Sequence, residues 1–558
     1  MPDLVLGPLL RYAGTYEATI WVETEDACEV EVRIENAGSA SHRARTFHVE
    51  GHHYALVHVT GLSPGGSYPY EVLLDGELRW PEPGSDFPPS IIRAHDPETP
   101  FSIVFGSCRI SLPNEAPYTL TKDRDRRGRG VDALHALAQE MLSEPAERWP
   151  DALLMLGDQI YADEVSPGTL EFIRSRRDTR GEPGETVADF QEYTHLYKDA
   201  WREPSLRWLL STVPVATIFD DHDVHDDWNI SRAWIEKMHG KPWWQERITG
   251  GFVSYWIYQH LGNLSPQDLE RDELYARVRE AEDAGPLLRE FARRADREPE
   301  GSRWSYHRDF GNTRLLVVDT RAGRVLEEGR RSMLDRKEWA WFEGNTSGSF
   351  DHLLIGTSLP LLLPPGLHHA ESWNEAVCAG VWGRTAAKIG EGLRQAIDLE
   401  HWSAFRDSFD GLVDLLKRIG TGERGRPPAS IVLLSGDVHH GYLAEAELRD
   451  APNLASAVYQ AVCSPLRNTL STPERLAMLF GWSRAGEAIF GALARAAGVG
   501  QEGIRWRLTH ERPCFDNHVG TIQLRGREAR LEIRKTVPVG TSDPREVRLR
   551  KILDRRLA

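Results

Sequence analysis

The sequence predicts an α/β protein, with central sheets flanked by helices, that is preceded by a small antiparallel β-sandwich. From residue 1 to about 95, apolar and polar residues alternate with a period of two, and Gly, Pro and Ser turns separate the segments. After residue 100, short and nearly continuous apolar runs alternate with segments of helical periodicity. Runs of this kind are typical of strands buried on both faces, so we expect helices on both sides of the later sheet.

Four strands are predicted in the N-terminal part, at residues 17–24, 28–35, 54–62 and 68–76. The stretch GLSPGGSYPYEVLLDG resembles the corner and following strand of fibronectin-type modules, in which a tyrosine packs at the corner. We therefore expect a β-sandwich of fibronectin or immunoglobulin type over residues 1–95. Proline-rich segments at 80–90 and 95–100 predict a linker to a second domain over residues 100–558.

Six apolar runs predict the strands of the second domain, and they lie at residues 101–108, 152–159, 213–223, 314–321, 352–358 and 430–440. A helix is predicted over residues 131–142, and helical insertions around the core are expected at 240–298, 385–418 and 472–498. Near the end of the chain, two strands at 519–525 and 529–537 are joined by a turn at Gly526. This order predicts an α/β core with inserted helices.

Composition excludes several classes of function. The 558 residues include 84 acids and 67 bases, which gives a net charge of −17 and argues against a role on nucleic acid or on an anionic membrane. No apolar stretch reaches the roughly 18 residues needed to cross a bilayer, and the N-terminus lacks signal-peptide features. Five scattered cysteines without a C-x-x-C pair predict neither a disulfide framework nor a thiolate zinc cluster. We expect a cytoplasmic protein whose partner is a small molecule, while the oligomeric state is not readable from the sequence.

Potential metal-binding or anion-binding groups follow five of the apolar runs. They are Cys108-Arg109, Gly157-Asp158 with Tyr161 and Asp163, Asp220-Asp221-His222-Asp223, Asp319-Thr320-Arg321, and Gly436-Asp437-Val438-His439-His440. In open α/β sheets, ligand sites form just beyond the carboxyl ends of the strands. Aspartates crowded into one crevice would repel one another and have raised pKa values unless a cation neutralised them. The pattern therefore predicts a metal site.

Four blocks of sequence carry a resemblance to a known family, and they are GSC at 106–108, GDQIYAD at 157–163, DDHDVHDDW at 220–228 and GDVHHG at 436–441. In order and approximate spacing they resemble the PhoD-like alkaline phosphatase family of metallophosphoesterases. The resemblance covers about residues 100–540, and an N-terminal β-sandwich also occurs in that family. It implies a metallophosphoesterase core that hydrolyses small phosphomonoesters, phosphodiesters or both.

The resemblance also implies two metal ions. The first would be held by Cys108, Asp158, Tyr161 and His439, a mixed donor set that favours iron as Fe³⁺ over magnesium. The second would be held by Asp158, Asp221 and Asp437, whose hard oxygen donors suit calcium or magnesium better than zinc. The implied pair is iron with calcium, and manganese or magnesium are alternatives at the second site.

Three further residues have roles in the implied reaction. His222 resembles the histidine that stabilises the transferring phosphoryl group or protonates the leaving oxygen. The implied chemistry is in-line attack at phosphorus by a hydroxide held between the two metals. Arg109 and Arg321 are predicted to clamp phosphate, because a guanidinium binds phosphate oxygens in a fork.

Structural interpretations compete for several of the other residues. Five tryptophans cluster after the DDHD block, at Trp228, Trp234, Trp243, Trp244 and Trp256, and core packing is favoured over an aromatic wall beside the site. Asp437 and His439 would share one side of an extended strand, and His440 would point away from them and be structural. The pair His368-His369 is expected to face solvent.

Two other functions fit parts of the pattern. Histidines dominate in a zinc amidohydrolase, and His222, His225 and the His439-His440 pair would suit such an enzyme, but aspartates outnumber histidines at the strand ends. The non-catalytic alternative is a β-sandwich binding module fused to a degenerate domain that holds metal only for stability. Against it, every block retains its expected ligand residue.

Overall fold

The computed structural model describes residues 1–34, 40–538 and 547–558 of the chain. The strands within these ranges are β1 (Leu4–Ala13), β2 (Glu17–Thr24), β3 (Glu29–Ile34), β4 (Ser41–Arg45), β5 (Phe47–Val49), β6 (His52–Thr60), β7 (Ser67–Leu74), β8 (Glu77–Trp80), β9 (Ile91–Arg93), β10 (Phe101–Gly106), β11 (Ala152–Leu156), β12 (Val215–Ile218), β13 (Tyr306–Phe310), β14 (Thr313–Val318), β15 (His352–Thr357), β16 (Ser430–Ser435), β17 (Tyr442–Leu448), β18 (Ala457–Val462), β19 (Ile504–Leu508), β20 (His518–Arg525), β21 (Glu528–Pro538) and β22 (Val547–Arg556).

The α-helices in the same ranges are α1 (Ala133–Ser143), α2 (Pro167–Arg176), α3 (Phe190–Trp201), α4 (Pro204–Thr212), α5 (Arg232–His239), α6 (Trp244–Tyr255), α7 (Leu261–Asn263), α8 (Pro266–Arg271), α9 (Glu273–Glu280), α10 (Gly285–Arg297), α11 (Arg336–Asn345), α12 (Pro365–Cys378), α13 (Arg384–Ala396), α14 (Arg406–Gly420), α15 (Thr472–Trp482) and α16 (Arg484–Ala496). A turn of π-helix, Trp256–His260, joins α6 to α7. No helix in the described part of the chain is both long and apolar enough to cross a membrane.

The first nine strands form two antiparallel sheets around one apolar core. The strand orders are β1-β2-β6-β5 and β4-β3-β7-β8, and β9 pairs with the start of β7. Ile20 of the first sheet and Val72 of the second belong to the same buried cluster. At the corner before β7, the Tyr68 hydroxyl accepts a hydrogen bond of 2.9 Å from the N–H of Ser63. The prediction of N-terminal antiparallel sheets is therefore confirmed.

Three of the four predicted N-terminal strands are β2, β6 and β7, and the fourth contains β3. Its last residue, at position 35, lies outside the described residues. Strand β1 was not predicted, and its pairing with β2 is interrupted by three register shifts. Each irregularity reverses the side of the sheet that the next residue faces, so the apolar residues of β1 do not keep a period of two.

Two mixed sheets packed against each other form the rest of the fold. One has the order β12-β11-β10-β20-β21-β22, in which β10, β11 and β12 are parallel. The other has the order β13-β14-β15-β16-β18-β17-β19, in which β14, β15, β16 and β18 are parallel. A Cβ added at Gly356 of β15 would lie 3.1 Å from the Leu156 side chain of β11, so this glycine lets the sheets approach closely.

The six apolar runs are confirmed as β10, β11, β12, β14, β15 and β16, and the late pair as β20 and β21 with its turn at Gly526. The predicted helix is α1, and α6 to α10, α13, α14, α15 and α16 occupy the three predicted insertions. Helices cover the outer faces of the sheets. Leu137 of α1 packs in one main apolar cluster and Phe409 of α14 in the other. The predicted α/β core is therefore confirmed.

The outer face of the β1-β2-β6-β5 sheet is also buried, because it packs on the later part of the chain. Trp21 and Tyr54 belong to the same apolar cluster as Tyr258 of the π-helix. The ring centroids of Trp21 and Tyr258 are 5.2 Å apart. The N-terminal sheets therefore share a core with the helices that lie below the candidate site.

Candidate metal centre

The predicted metal ligands meet where the carboxyl ends of parallel strands from both sheets converge. Cys108, Asp158 and Asp221 follow β10, β11 and β12, whereas Asp437 and His439 follow β16. The ligand atoms of Cys108, Asp158 and His439 all lie within 4.8 Å of one another. Two sheets that are far apart in sequence thus contribute donors to a single crevice, as expected for a ligand site in this class of fold.

Two more groups of possible ligands adjoin the first one. Asp158, Asp221 and His222 form one group, and Asp220, Asp221 and Asp437 form the other, each again within 4.8 Å. Asp158 is common to the first two groups and Asp221 to the last two. A shared carboxylate has two oxygens and can bridge two cations, so the arrangement can hold a pair of metal ions.

Tyr161 and Asn468 complete the wall beside Asp158. The Tyr161 hydroxyl lies 3.3 Å from Asp158 Oδ2 and accepts a hydrogen bond of 3.3 Å from Asn468 Nδ2. His439 Nδ1 donates to the carbonyl oxygen of Asn468 at 2.8 Å. Because this bond fixes the proton on Nδ1, the lone pair of His439 Nε2 is free to bind a metal.

Four of the ligand residues have left-handed backbone, with φ of 57° at Cys108, 52° at Asp158, 65° at Asp437 and 51° at His439. Such values are uncommon for residues with a Cβ and concentrate at functional sites. They correct one expectation: β16 already ends at Ser435, so Asp437 and His439 do not lie on an extended strand. A tight loop, rather than the period of a strand, brings their side chains together.

The glycine before each of two ligand aspartates has a steric reason. Gly157 has φ of 107°, and a Cβ there would lie 2.6 Å from the Cβ of Asp220. A Cβ on Gly436 would lie 1.9 Å from Ser107 Oγ, where the two sheets meet. Only glycine permits such close approach of neighbouring chains, which explains both Gly-Asp pairs in the sequence.

The half of the centre around Cys108 and Asp158 fits a cation on electrostatic grounds. Asp158 Oδ1 is buried and has no hydrogen-bond partner among the described residues. Burial raises the pKa of Asp158 well above its usual value, and the nearby Asp220 carboxylate raises it further. Burial also raises the pKa of the Cys108 thiol. A bound cation would reverse both shifts and satisfy the unpaired oxygen, so this set of donors fits a metal.

The other half contains its own counter-ions, the first of which is Arg321. Its fully buried guanidinium donates to Asp220 and Glu400, and its Nη2 lies 3.2 Å from Asp221 Oδ1 and 3.5 Å from Asp437 Oδ1. Arg321 therefore neutralises carboxylates within the protein. Its Nη1 also donates to the carbonyl oxygen of Trp228 at 3.3 Å, whereas its Nη2 has no hydrogen bond in the described part of the chain. Phosphate binding by Arg321 stays a prediction, for which Nη2 is the available donor.

Arg109 is likewise committed to the protein interior. Its Nε donates to Asp132 Oδ2 at 2.9 Å and its Nη1 to the carbonyl oxygen of Ala200 at 2.9 Å. Asp132 in turn accepts hydrogen bonds from the first turn of α1. The predicted phosphate clamp is thus a buried structural ion pair, and the prediction for Arg109 is not supported by its contacts.

His222 lies at the edge of the ligand groups and is held by Asp163. Its Nδ1 is 2.9 Å from Asp163 Oδ1, and its ring centroid is 4.5 Å from that of Tyr161. Burial would lower the pKa of His222, but the Asp163 and Asp221 carboxylates outweigh this effect and raise it well above the usual value. A half-buried imidazole kept protonated in this way can donate a proton to a leaving oxygen.

Sequence reasoning missed a chain of polar residues behind Asp437. His401 Nε2 is 2.8 Å from Asp437 Oδ2, and His401 Nδ1 is 2.5 Å from Glu371 Oε1. Ser403 donates to the other oxygen of Glu371 at 2.5 Å. Burial would raise the pKa of Asp437, but His401 and Arg321 hold it below the usual range. No strand-end pattern marks His401 or Glu371, since they lie after α13 and on α12.

Asn468 was also missed, although a pattern in the sequence could have revealed it. It follows β18, whose sequence AVYQAV is an apolar run of the same kind as the six that were recognised. The segment after this run, CSPLRNTL, ends at the same crevice. An inventory of every apolar run would have included Asn468.

The other aromatic and histidine predictions have mixed outcomes. Four of the five clustered tryptophans are at most 3% exposed, which agrees with core packing, and only Trp243 is half-buried. A cavity of about 580 Å³ beside the site is lined by Trp243, His225, Asp226 and other residues. His368 is fully buried on α12, contrary to the expected solvent exposure, because it packs between Phe409 and Trp506.

His440 is buried, and its contacts agree with the expected structural role. Its Nδ1 lies 2.6 Å from the carbonyl oxygen of Val438, and its Nε2 accepts a hydrogen bond of 3.1 Å from the Trp482 indole. Burial lowers the pKa of His440 to about 3, so the ring is neutral. The ring is therefore fully used in holding the loop after β16 against α15.

Among solved structures, one titled "Structure of PhoD" is 12% identical to this chain, and the match covers 98% of this chain and 92% of that one with a TM-score of 0.57. The structure of purple acid phosphatase PPD1 from yellow lupin (Lupinus luteus) seeds is 11% identical, over 95% of this chain and 71% of that one, with a TM-score of 0.49. At this identity the first match shows a likeness of fold. No curated protein matches the chain.

Family models match two parts of the sequence. Residues 1–92 match a domain of unknown function (DUF7800), which corresponds to the N-terminal sheets. Residues 135–478 match the PhoD-like phosphatase model, and this range holds Asp158, Asp221, Asp437 and His439. Because the second match spans more than half of the chain, the protein belongs to the PhoD-like phosphatase family and is a hydrolase of phosphoric esters.

Proposed function

We propose that the protein hydrolyses phosphomonoesters, phosphodiesters or both at a centre of two metal ions, as an alkaline phosphatase D-like enzyme. One observation carries the proposal: Asp158 belongs to two adjacent ligand groups and has a buried oxygen without a hydrogen-bond partner in the described part of the chain. A carboxylate in this position is stable only beside a cation. The substrate class is a small phosphate ester.

Six residues would hold the two ions, with Asp158 shared between them. The first ion would be bound by Cys108, Asp158, Tyr161 and His439, a thiol, carboxylate, phenol and imidazole set that suits Fe³⁺. The second would be bound by Asp158, Asp221 and Asp437, and these oxygen donors suit calcium, with manganese or magnesium as alternatives. When bound, the ions would supply Lewis-acid chemistry, which activates water and neutralises charge on phosphate oxygens.

The side chains around the centre have separate tasks. His222, oriented by the hydrogen bond to Asp163, is the group placed to donate a proton to the leaving oxygen at the edge of the site. Arg321 and His401 hold Asp437 in place through the contacts described above. Such orientation keeps the donors fixed while the phosphoryl group is transferred.

We also propose the division of the chain into a sandwich over residues 1–95 and a metallophosphoesterase domain over residues 100–558. The immunoglobulin-like or fibronectin-like type of the sandwich is supported by the strand order β1-β2-β6-β5, which corresponds to strands A, B, E and D of that fold. The hydrogen bond from the Ser63 N–H to the Tyr68 hydroxyl supports it as a tyrosine corner. A cytoplasmic location stays a prediction from the sequence.

The test is elemental analysis of the purified protein together with assays on nitrophenyl phosphate as monoester and diester. About one iron per chain, a visible absorption band and hydrolysis are the expected results. Replacing Cys108 with Ser should weaken the band, and Tyr161→Phe should remove a separate part of it, since thiolate and phenolate both transfer charge to Fe³⁺. Zinc alone without hydrolysis of either ester would contradict the proposal.

A further inference from the structure

An arginine from the N-terminal sheets enters the core below the metal centre. Arg11 of β1 is 1% exposed, and its guanidinium donates to the carbonyl oxygens of Tyr258, of Gln259 at 2.8 Å and of Val215 at 3.3 Å. No carboxylate is among its described hydrogen-bond partners. Burying a charged guanidinium with only neutral acceptors costs desolvation free energy, so its hydrogen bonds must be well formed.

The later part of the chain is shaped to receive this side chain. A Cβ added at Gly262 would lie 2.4 Å from Arg11 Nε, so only glycine leaves room for the guanidinium. Asn263 Oδ1 lies 3.4 Å from Arg11 Nη2 and accepts a hydrogen bond of 2.9 Å from the N–H of Thr217 on β12. Arg11 thereby fastens the π-helix to the strand that leads into the DDHD block.

From the π-helix, hydrogen bonds continue to the metal-binding loops. Gln259 Nε2 donates to Asp223 Oδ1 at 3.1 Å. The other oxygen of Asp223 accepts the backbone N–H of Asp158 at 3.0 Å and that of Asp220 at 2.9 Å. Asp223 is therefore the acceptor that secures the left-handed backbone of Asp158, and its own position depends on Gln259.

A second contact holds the same π-helix. The Tyr258 hydroxyl donates to Glu23 Oε2 at 2.8 Å and lies 3.2 Å from the hydroxyl of Tyr54. Glu23 and Tyr54 belong to β2 and β6 of the N-terminal sheet. Three strands of that sheet, β1, β2 and β6, therefore contact the π-helix, and Arg11 of β1 binds its backbone.

We propose that Arg11 is a positioning residue of the metal centre, and that the N-terminal sheets complete this centre from below. The inference rests on the metal-dependent function proposed above. Loss of Arg11 frees the carbonyl oxygens of the π-helix, Gln259 shifts, and Asp223 no longer fixes the loops that carry Asp158 and Asp220. The N-terminal part of the chain then acts as a structural component of catalysis rather than as a separate binding module.

The experiment compares Arg11→Gln with Arg207→Gln in the full chain. Arg207 of α4 is the matched control, because it also bridges to the N-terminal part of the chain, through Gly7 and Glu82. Its hydrogen bonds within the described residues include none to the metal-site side chains. Two quantities are measured at equal fractions of folded protein: hydrogen exchange of the Asp158 and Asp220 amides, and metal content after dialysis. Gln259→Leu, which leaves Arg11 intact, is the second test variant.

We expect Arg11→Gln and Gln259→Leu to speed exchange of both amides by about tenfold or more over the control. Metal content after dialysis should fall below that of the control, because loss of an outer support of a ligand typically weakens metal affinity by about 10- to 100-fold. The double variant should be no worse than the poorer single variant, since both act through Asp223. Arg11→Lys keeps the charge but lacks the several donors of a guanidinium, so its amide protection and metal content should lie between those of the unsubstituted protein and Arg11→Gln.

The outcome that overturns the inference is exchange and metal content in Arg11→Gln equal to those of Arg207→Gln. Additive effects in the double variant would likewise show that Arg11 and Gln259 do not share a path to Asp223. If the unsubstituted protein binds no metal, the proposed function fails. Amide exchange alone then decides whether Arg11 positions the two loops.

Discussion

The two halves of the metal centre differ in how their buried negative charge is balanced. Around Cys108 and Asp158, an aspartate oxygen has no hydrogen-bond partner among the described residues, and burial raises the pKa values of both groups. Around Asp437, the chain supplies Arg321 and His401 as buried counter-ions. Buried anions must be paired with cations to be tolerated. The Asp437 carboxylate is therefore balanced by side chains, although burial still raises the pKa of the neighbouring Asp220 and Asp221. Asp158 is expected to need a bound cation instead.

The largest effect is expected from Asp158→Asn, which removes the carboxylate that both ligand groups share. Turnover should fall by about a thousandfold or more, because charge stabilisation by a metal contributes several kcal/mol in the transition state. The measurement is kcat with a nitrophenyl ester together with metal content per chain. Asp516→Asn is the control, since Asp516 is an exposed partner of Lys535 at 2.6 Å. A near-normal rate in Asp158→Asn would contradict the shared role.

Arg321→Met tests whether the second half is held together by its own counter-ion. The free energy of unfolding should fall by about 3–5 kcal/mol, because several buried carboxylates lose their partner at once. Urea unfolding of metal-free protein measures this. Arg530→Met, at an exposed pair with Asp554, should stay close to the unsubstituted protein. Unchanged stability with a raised KM would instead support phosphate binding by Arg321.

His401→Gln separates the two ions from each other. Affinity for the second metal should fall by about 10- to 100-fold while the first metal is retained, because His401 orients only Asp437. Calorimetric titration of metal-free protein with each ion measures the two affinities. The control is His352→Gln, a buried histidine at the start of β15 that pairs with Ser430. Equal loss of both ions would mean that the halves are not independent.

The smallest effect concerns His260, a buried histidine without a carboxylate partner among the residues that the structure describes. Burial lowers the pKa of His260 to about 3 from its ordinary 6.5. The unfolded chain binds this proton more readily, so stability is full above about pH 6.5 and falls by about 1.4 kcal/mol per pH unit below it. The free energy of unfolding, measured in urea at about pH 7 and pH 5, should decrease less with falling pH in His260→Phe than in the unsubstituted protein. The same decrease in both proteins would contradict a neutral buried His260.

The pKa of His401 is shifted in the opposite direction from that of His260. Burial would lower its pKa too, but Glu371 and Asp437 on its two nitrogens raise it well above the usual value. The two histidines are both largely buried, so the difference lies in their neighbours and not in exposure. Local charge, rather than burial alone, decides which buried imidazole is a counter-ion.

The strand ends were readable from sequence because continuous apolar runs are typical of buried strands and their last residues must lie at one edge of the sheet. Asp158 and Asp437 could be found in this way, and so could the fold class. Arg321 was found by the same rule, but its contacts with buried carboxylates were not predicted. Its sequence neighbours do not reveal that Asp220 and Glu400, far away in the chain, surround its guanidinium.

The sequence by itself determined the element types, the strand ends that carry the ligands, and the family resemblance, because these depend on local periodicity and on short motifs. Only the tertiary structure decided which cation neutralises which carboxylate, that His401 supports Asp437, and that Arg11 reaches the π-helix. These contacts join residues separated by tens to hundreds of positions. No local pattern encodes such pairs, since they arise when the sheets and helices pack.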